Sequence, residues 1–157
     1  MQRVFKELEA RIGLEKLHNE YDYEFNNQKK LNTYYDFKSS TYPGISYLYK
    51  EGIKQGVDIW FRLEFDWCLY AGFVVAVNGE VGQQVLSEKE IGEYLPHLEP
   101  CIDNWWAYWE LLPYDDETQV PNFKYPNDED LYFKLFDEAY FKEFIDKSLD
   151  RIEGIFR

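Results

Sequence analysis

Residues 57–67 carry the most regular pattern in this chain, because apolar and polar side chains alternate there over eleven residues. One side of the alternation consists of Ile59, Phe61, Leu63, Phe65 and Trp67, and the other side holds Asp58, Arg62, Glu64 and Asp66. This pattern is typical of an antiparallel strand with one face in the core and the other face in solvent. The chain is therefore expected to fold around a sheet.

Further strands are predicted on both sides of this one. Leu69–Val77 is apolar on both faces, so we expect it at the centre of the sheet. Asn78-Gly79 predicts a type I′ turn, after which Val81, Gln83 and Val85 form the returning strand. The other predicted strands are Thr33–Lys38 and Ile45–Lys50, with a turn at Pro43-Gly44. Trp105–Leu112 is aromatic on every face, so it fits a strand or a helix, and we favour the strand.

Helices are predicted before and after the strands. Residues 3–18 repeat apolar side chains at helical spacing, and Ser87 with Glu90 forms a capping box. Asn127 is the expected cap of a short helix with Leu131, Leu135 and Phe136, and Asp137 caps a final helix with the apolar stripe Phe141, Phe144, Ile145, Leu149, Ile152 and Phe156. The expected fold class is α+β: one domain over residues 1–157, with an antiparallel sheet of about five strands and the N-terminal and C-terminal helices packed on it.

Charge is distributed unevenly along the chain. Residues 1–78 carry 11 acids and 10 bases, whereas residues 79–157 carry 19 acids and 7 bases, so the second half holds nearly all of the net charge of −13. A densely acidic surface repels the phosphates of nucleic acid and attracts basic protein surfaces. We therefore expect a protein partner with a basic surface, and no direct binding of nucleic acid.

Two acidic clusters lie at either end of the segment that contains Pro113, Pro121 and Pro126. Their spacing does not match a calcium-binding loop, which needs ligands at alternating positions around a central glycine. We expect neither a metal nor a cofactor there, and we predict instead that the clusters form a partner-binding surface. The six residues of this surface are Asp115, Asp116, Glu117, Asp128, Glu129 and Asp130.

Composition limits the remaining alternatives. Aromatic residues make up 20% of the chain, which argues against disorder and supplies Tyr and Trp side chains as interface anchors. Cys68 and Cys101 follow no metal-binding or disulfide pattern, so we expect two reduced and largely buried thiols. No apolar stretch reaches the ~18 residues of a membrane span, and the charged N-terminus does not resemble a signal peptide. A cytoplasmic protein that does not act on membranes is expected.

The histidines and the paired carboxylates of the long strand are weak catalytic candidates. His18 and His97 have no nucleophile or metal ligand at a suitable spacing, so both are interpreted as surface or structural residues. Glu64 and Asp66 share one strand face, and paired carboxylates are able to hold Mg²⁺. Arg62 beside them favours a solvated ladder of alternating charges instead.

Asp36-Phe37-Lys38 has the D-x-K form that metal-dependent nucleases use, with Asp22 as the only upstream acid available for such a site. Three residues with one free position arise readily by chance in a chain this charged. We therefore assign no catalytic residue. The enzyme alternative is a reduced metal-dependent nuclease that uses Asp22, Asp36 and Lys38, or Glu64 and Asp66.

Three stretches carry a resemblance to a known family. They are Tyr34-Tyr35-Asp36-Phe37 with Gly44-Ile45; residues 59–65 with residues 69–73; and residues 105–109 with Asn122-Phe123 and the closing helix 141–155. On these stretches, the chain from Thr33 onward resembles the C-terminal portion of a family of bacterial and phage proteins in the PD-(D/E)XK nuclease superfamily. The resemblance rests on fold-type patterns rather than on catalytic motifs.

The departure from that family shapes what the resemblance implies. The family places its metal-binding acid and its E-x-K strand in an N-terminal half that has no counterpart in this chain. The resemblance therefore implies an accessory domain without nuclease chemistry. For an acidic accessory domain, the expected function is that of a binder, such as a phage-encoded inhibitor that mimics nucleic acid in the basic groove of a host nuclease, restriction enzyme or CRISPR effector.

Overall fold

The computed structural model describes residues 1–12, 42–81, 84–126 and 131–157. The strands are β1 (Gly44–Lys54), β2 (Val57–Phe65), β3 (Leu69–Val77), β4 (Glu80–Val81) and β5 (Trp106–Leu112). The helices are α1 (Gln2–Ile12), α2 (Glu88–Tyr94), α3 (Leu131–Lys134) and α4 (Glu138–Phe156), and a 3₁₀ turn spans Glu117–Gln119. In the described part of the chain, no helix is both long and apolar enough to span a membrane.

All strand pairings in the sheet are antiparallel. β1 pairs with β2, and β2 pairs with the whole length of β3, from Val57 opposite Val77 to Phe65 opposite Leu69. Because β2 fills one edge of β3, β4 and β5 share the other edge in tandem. The five strands thus occupy four positions across the sheet, and the predicted α+β class with an antiparallel sheet is confirmed.

One face of the sheet forms the main core with the helices. Phe61 lies opposite Phe73 in the register, and the C-terminal Phe156 of α4 packs on both rings at centroid distances of 4.7 and 5.8 Å. Phe5 of α1 contacts Phe65 at 4.6 Å. The apolar side of β2 therefore meets the apolar stripes of α1 and α4, as the alternation predicts.

The opposite face of the sheet is also buried, which corrects the predicted solvent-facing side of β2. Trp60, Arg62 and Glu64 are only 2%, 4% and 4% exposed. A second cluster on this face contains Trp60, Val74, Ala76 and Trp106, with Leu48, Tyr70, Trp105 and Trp109 packed against it. Alternation misleads here because Arg62 and Glu64, both polar in sequence, bind each other in the fold.

Four local predictions need correction. Gly44 begins β1 opposite Glu64 instead of forming a turn. β2 ends at Phe65, so Trp67 leaves the apolar face and is half exposed. The returning strand β4 is only two residues long, and Val85 is exposed beyond it. Of the two free thiols, Cys68 is buried, as predicted, but Cys101 is exposed.

The predicted turn and caps are confirmed where the structure describes them. Asn78 and Gly79 both have positive φ, as a type I′ turn requires. The capping box of Ser87 and Glu90 begins α2, and Asp137 accepts a hydrogen bond from the Tyr140 amide at the start of α4. The predictions over 13–18 and 19–38, and those at Gln83 and Asn127, lie outside the described residues.

Phe61→Ala and Phe65→Ala should each lower the free energy of unfolding by about 3–5 kcal/mol, because both rings are fully buried and would leave cavities. Phe136→Ala is the matched control, since that ring is 73% exposed and its loss should change stability little. Urea denaturation measures all three variants. Similar midpoints for the core variants and the control would show that the faces of β2 are assigned wrongly.

Candidate functional site

The predicted acidic surface begins at Asp115, whose side chain is 80% exposed. Arg151 of α4 nevertheless holds this carboxylate, and its Nε also donates to Glu110 on β5. Further along the contact, Lys147 donates a hydrogen bond to the Tyr114 hydroxyl. We name residues 113–126 the acidic loop. Two basic side chains, those of Arg151 and Lys147, thus hold the start of this loop against α4.

Asp116, the second predicted residue, has a local structural role. Its carboxylate accepts hydrogen bonds from the amide and hydroxyl of Thr118, at 2.9 and 2.7 Å, and from Gln119 Nε2 at 3.0 Å. These bonds, those from Thr118 above all, lower the pKa of Asp116. Asp116 therefore caps the 3₁₀ turn, and its charge stabilises that turn.

Glu117 begins the 3₁₀ turn and is exposed, as Asp115 and Asp116 are. Burial raises the pKa of Asp66, Lys124 opposes this effect, and the charge of Glu117 adds a smaller increase. The second predicted cluster, Asp128, Glu129 and Asp130, lies outside the described residues. Its proximity to Glu117 stays a prediction.

The rest of the loop crosses the connection between β2 and β3. The Phe123 amide donates to the Trp67 carbonyl at 2.6 Å, and the Phe123 ring packs 4.3 Å from that of Phe65. Asn122 Oδ1 accepts a hydrogen bond from the Tyr125 amide at 2.8 Å. This turn brings the rings of Tyr125 and Trp67 within 4.9 Å of each other.

An exposed group of rings follows from this arrangement, and we name it the aromatic end. Trp67, Phe133 and Phe136 are 52%, 45% and 73% exposed. Tyr132 joins them to the core, because its ring contacts the buried Phe123 at 5.7 Å. The aromatic end comprises Trp67, Tyr125, Tyr132, Phe133 and Phe136.

Sequence reasoning missed Phe133, and it placed Phe136 in one short helix with Leu131 and Leu135. α3 ends at Lys134, so the chain changes direction and only Leu135 of these three is buried. A signal was present in the sequence, because Asp137 as a helix cap requires non-helical backbone immediately before α4.

A buried ion pair lies on the face of the sheet opposite the main core. It includes Glu64, one of the two carboxylates of the long strand considered above as metal ligands. Arg62 Nε donates to Glu64, Nη1 donates to Ser46 Oγ at 2.8 Å, and Nη2 donates to the Tyr42 carbonyl at 3.3 Å. Gly44 permits this approach, since a Cβ there would lie 2.5 Å from Arg62 Nη2. The guanidinium therefore ties β2 to the start of β1.

Both of these carboxylates, Glu64 and Asp66, lie beside a protein cation. Glu64 is bound by Arg62, and Asp66 Oδ1 lies 3.7 Å from Lys124 Nζ. Mg²⁺ prefers oxygen ligands, and cations already beside these oxygens compete with it. Over the described ranges, no group of three or more His, Cys, Asp and Glu is arranged to hold a metal ion. The arrangement favours a structural role for both carboxylates.

Burial dominates the protonation of this cluster. It raises the pKa of Glu64, and the Arg62 guanidinium opposes this effect. It also raises the pKa of Asp66, where Lys124 is the opposing charge. The two cations therefore offset a desolvation cost that otherwise favours neutral acids.

The remaining candidates are dispersed. His97 Nε2 lies 2.7 Å from the Ile155 carbonyl, so this ring links the end of α2 to α4. His18, Asp22, Asp36 and Lys38 lie outside the described residues. The structure thus gives a structural contact for His97.

Glu64→Leu and Arg62→Met should each destabilise the fold by about 3–5 kcal/mol, because each leaves the other member of the pair buried and without its partner. Combining Arg62→Met with Glu64→Leu should cost less than either change alone, since no charge remains buried. Urea denaturation of the four proteins measures the coupling energy.

The surface pair Glu153–Arg157 is the matched control for this cycle, because its side chains are 63% and 80% exposed. Its coupling energy should be at most ~0.5 kcal/mol. A coupling energy between Arg62 and Glu64 as small as that of the control pair would contradict a structural ion pair.

Comparison with known protein families, with curated proteins and with solved structures finds no match for this chain. The resemblance to the PD-(D/E)XK nuclease superfamily therefore stays a prediction, and we infer a function from the surface of this chain alone.

Proposed function

We propose that this chain is a non-catalytic module that binds another protein through that protein's basic surface. The observation that carries the proposal is the aromatic end, where Phe133 and Phe136 are exposed on a protein of net charge −13. Large aromatic side chains supply much of the binding energy at interfaces. Carboxylates around them steer a basic partner into place.

The candidate surface has the dimensions of an ordinary interface. Arg151, which holds Asp115, lies on α4 about 20 Å from its first residue, Glu138, at ~1.5 Å per residue. Phe136 lies just before that first residue. An interface of ~800 Å² per partner is wide enough to include both the aromatic end and the acidic loop.

The partner class that we favour is a nucleic-acid-handling enzyme, such as a nuclease, a restriction enzyme or a CRISPR effector. Such enzymes present a basic groove, which an acidic protein is able to occupy in place of nucleic acid. Phage–host conflict is the setting that the predicted resemblance implies. We place the protein in the cytoplasm, where an exposed thiol such as Cys101 stays reduced.

An enzyme related to metal-dependent nucleases is the second candidate function. The observation behind it is the pair of acids at the end of β2, because the raised pKa values of Glu64 and Asp66 are of a kind found at catalytic sites. Structural ion pairs shift pKa values in the same way. The contacts from Arg62 and Lys124 favour that explanation.

Replacing Glu117, Asp128, Glu129 and Asp130 together by Lys should slow association with the partner far more than it speeds dissociation, because interface charges act mainly on encounter. The effect should shrink as salt rises, since the Debye length falls from ~10 Å at 0.1 M to ~3 Å at 1 M. Asp115 and Asp116 are left intact because the fold uses them. Surface plasmon resonance against the protein captured by pull-down from the native host measures both rates.

The control replaces Glu51, Glu88, Glu93 and Glu99 by Lys, four exposed acids on β1 and on or after α2. It changes the net charge equally but away from the proposed surface. Equal slowing by both variants would mean that only total charge matters. Unchanged association in the first variant at low salt would contradict the proposed surface.

Single- and double-stranded DNA and RNA should stay intact when incubated with the purified protein and Mg²⁺ or Mn²⁺, because the carboxylates of β2 are held by protein cations. Gel electrophoresis of the nucleic acids checks this. Cleavage that disappears in Asp36→Ala while the far-UV spectrum is unchanged would instead establish the enzyme alternative.

A further inference from the structure

Two exposed rings of the aromatic end, those of Phe133 and Phe136, stack on each other. Phe133 and Phe136 are nearly parallel, with ring centroids 6.5 Å apart and planes inclined by 26°. Tyr132 contacts both edge-on, at 5.5 and 6.2 Å, and itself rests on the buried Phe123. Tyr132 thus connects the pair to the core, while both rings of the pair remain exposed to solvent.

The same part of the molecule already holds a guanidinium in a comparable setting. Arg3 of α1 lies 3.7 Å from the centroid of the Phe141 ring, and its Nη2 donates to Glu138 Oε2 at 2.5 Å. Both ends of this contact are solvent-accessible, with side chains 49% and 79% exposed. A ring face combined with a carboxylate at the start of α4 is therefore sufficient to hold an arginine at the surface.

Charge around the ring pair favours a cation. The protein carries a net charge of −13, nearly all of it in residues 79–157. Asp137 and Glu138 directly follow Phe136, and both are exposed. A cation over an aromatic face is attracted by the ring electrons, and arginine does this better than lysine because its guanidinium is planar and weakly hydrated.

We propose that the Phe133–Phe136 pair, together with the carboxylates beside it, is the docking site for an arginine side chain of the partner protein. This inference rests on the proposed function, which requires only a basic partner. It adds that the partner is recognised through arginine, and that the rings of Phe133 and Phe136 distinguish arginine from lysine.

Oligoarginine and oligolysine peptides of equal length test the proposal, with isothermal titration calorimetry as the measurement. The unmodified protein should bind oligoarginine roughly fivefold more tightly than oligolysine, the effect expected of exposed cation–π contacts. In Phe133→Leu/Phe136→Leu this ratio should fall close to one, while affinity for oligolysine changes by less than about twofold, because the charges remain.

Trp67→Leu is the matched control, since it removes an exposed ring of the aromatic end outside the pair. It should leave the arginine preference in place. Loss of the preference in Trp67→Leu and its retention in the double variant would overturn the assignment to Phe133 and Phe136. Far-UV circular dichroism verifies that each variant is folded, and the ratio in the unmodified protein remains decisive if one is not.

The outcomes separate this inference from the proposed function. Equal affinity of the unmodified protein for the two peptides would overturn arginine recognition and leave the binding of a basic partner standing. No binding of either peptide at low salt would count against both.

Discussion

The pairing of β2 with β3 is the interaction on which the rest of the structure depends. It runs without a register shift from Val57 opposite Val77 to Phe65 opposite Leu69. This register aligns the buried side chains of both strands and provides one edge for β1 and another for β4 and β5. The helices then have a single apolar surface to cover. Because β2 ends at Phe65, the same pairing also determines where the chain turns outward toward Trp67.

Local signals in the sequence were sufficient for much of the fold. Period-two alternation identified β2, the Asn78-Gly79 pair identified a turn, and Ser87 with Glu90 identified the start of α2. Each signal depends only on residues close together in the chain. The burial of the second sheet face was not predictable in this way, because it depends on Arg62 meeting Glu64, Ser46 and the Tyr42 carbonyl. Polarity in a sequence does not distinguish a solvated charge from a neutralised one.

The candidate site was predictable to a smaller extent. Composition identified the acidic half of the chain, but not the different roles of neighbouring acids. All three residues of the first cluster are exposed, but Asp115 is bound by Arg151 and Asp116 caps a turn. The rings of the aromatic end were not predictable as a group, because Trp67 contacts Tyr125, and Tyr132 contacts Phe123, only in the folded chain.

The contact of Arg151 with both Glu110 and Asp115 has a consequence for the proposed binding of another protein. It joins the acidic loop to β5 and to α4. A loop that is already fixed loses little conformational entropy on association, and this loss is one of the main costs of forming a complex. The arginine thus removes positive charge from the surface while holding the carboxylates in one arrangement. A protein with few basic residues in its acidic half gains rigidity from one of them at the place where repulsion between acids would otherwise spread the loop.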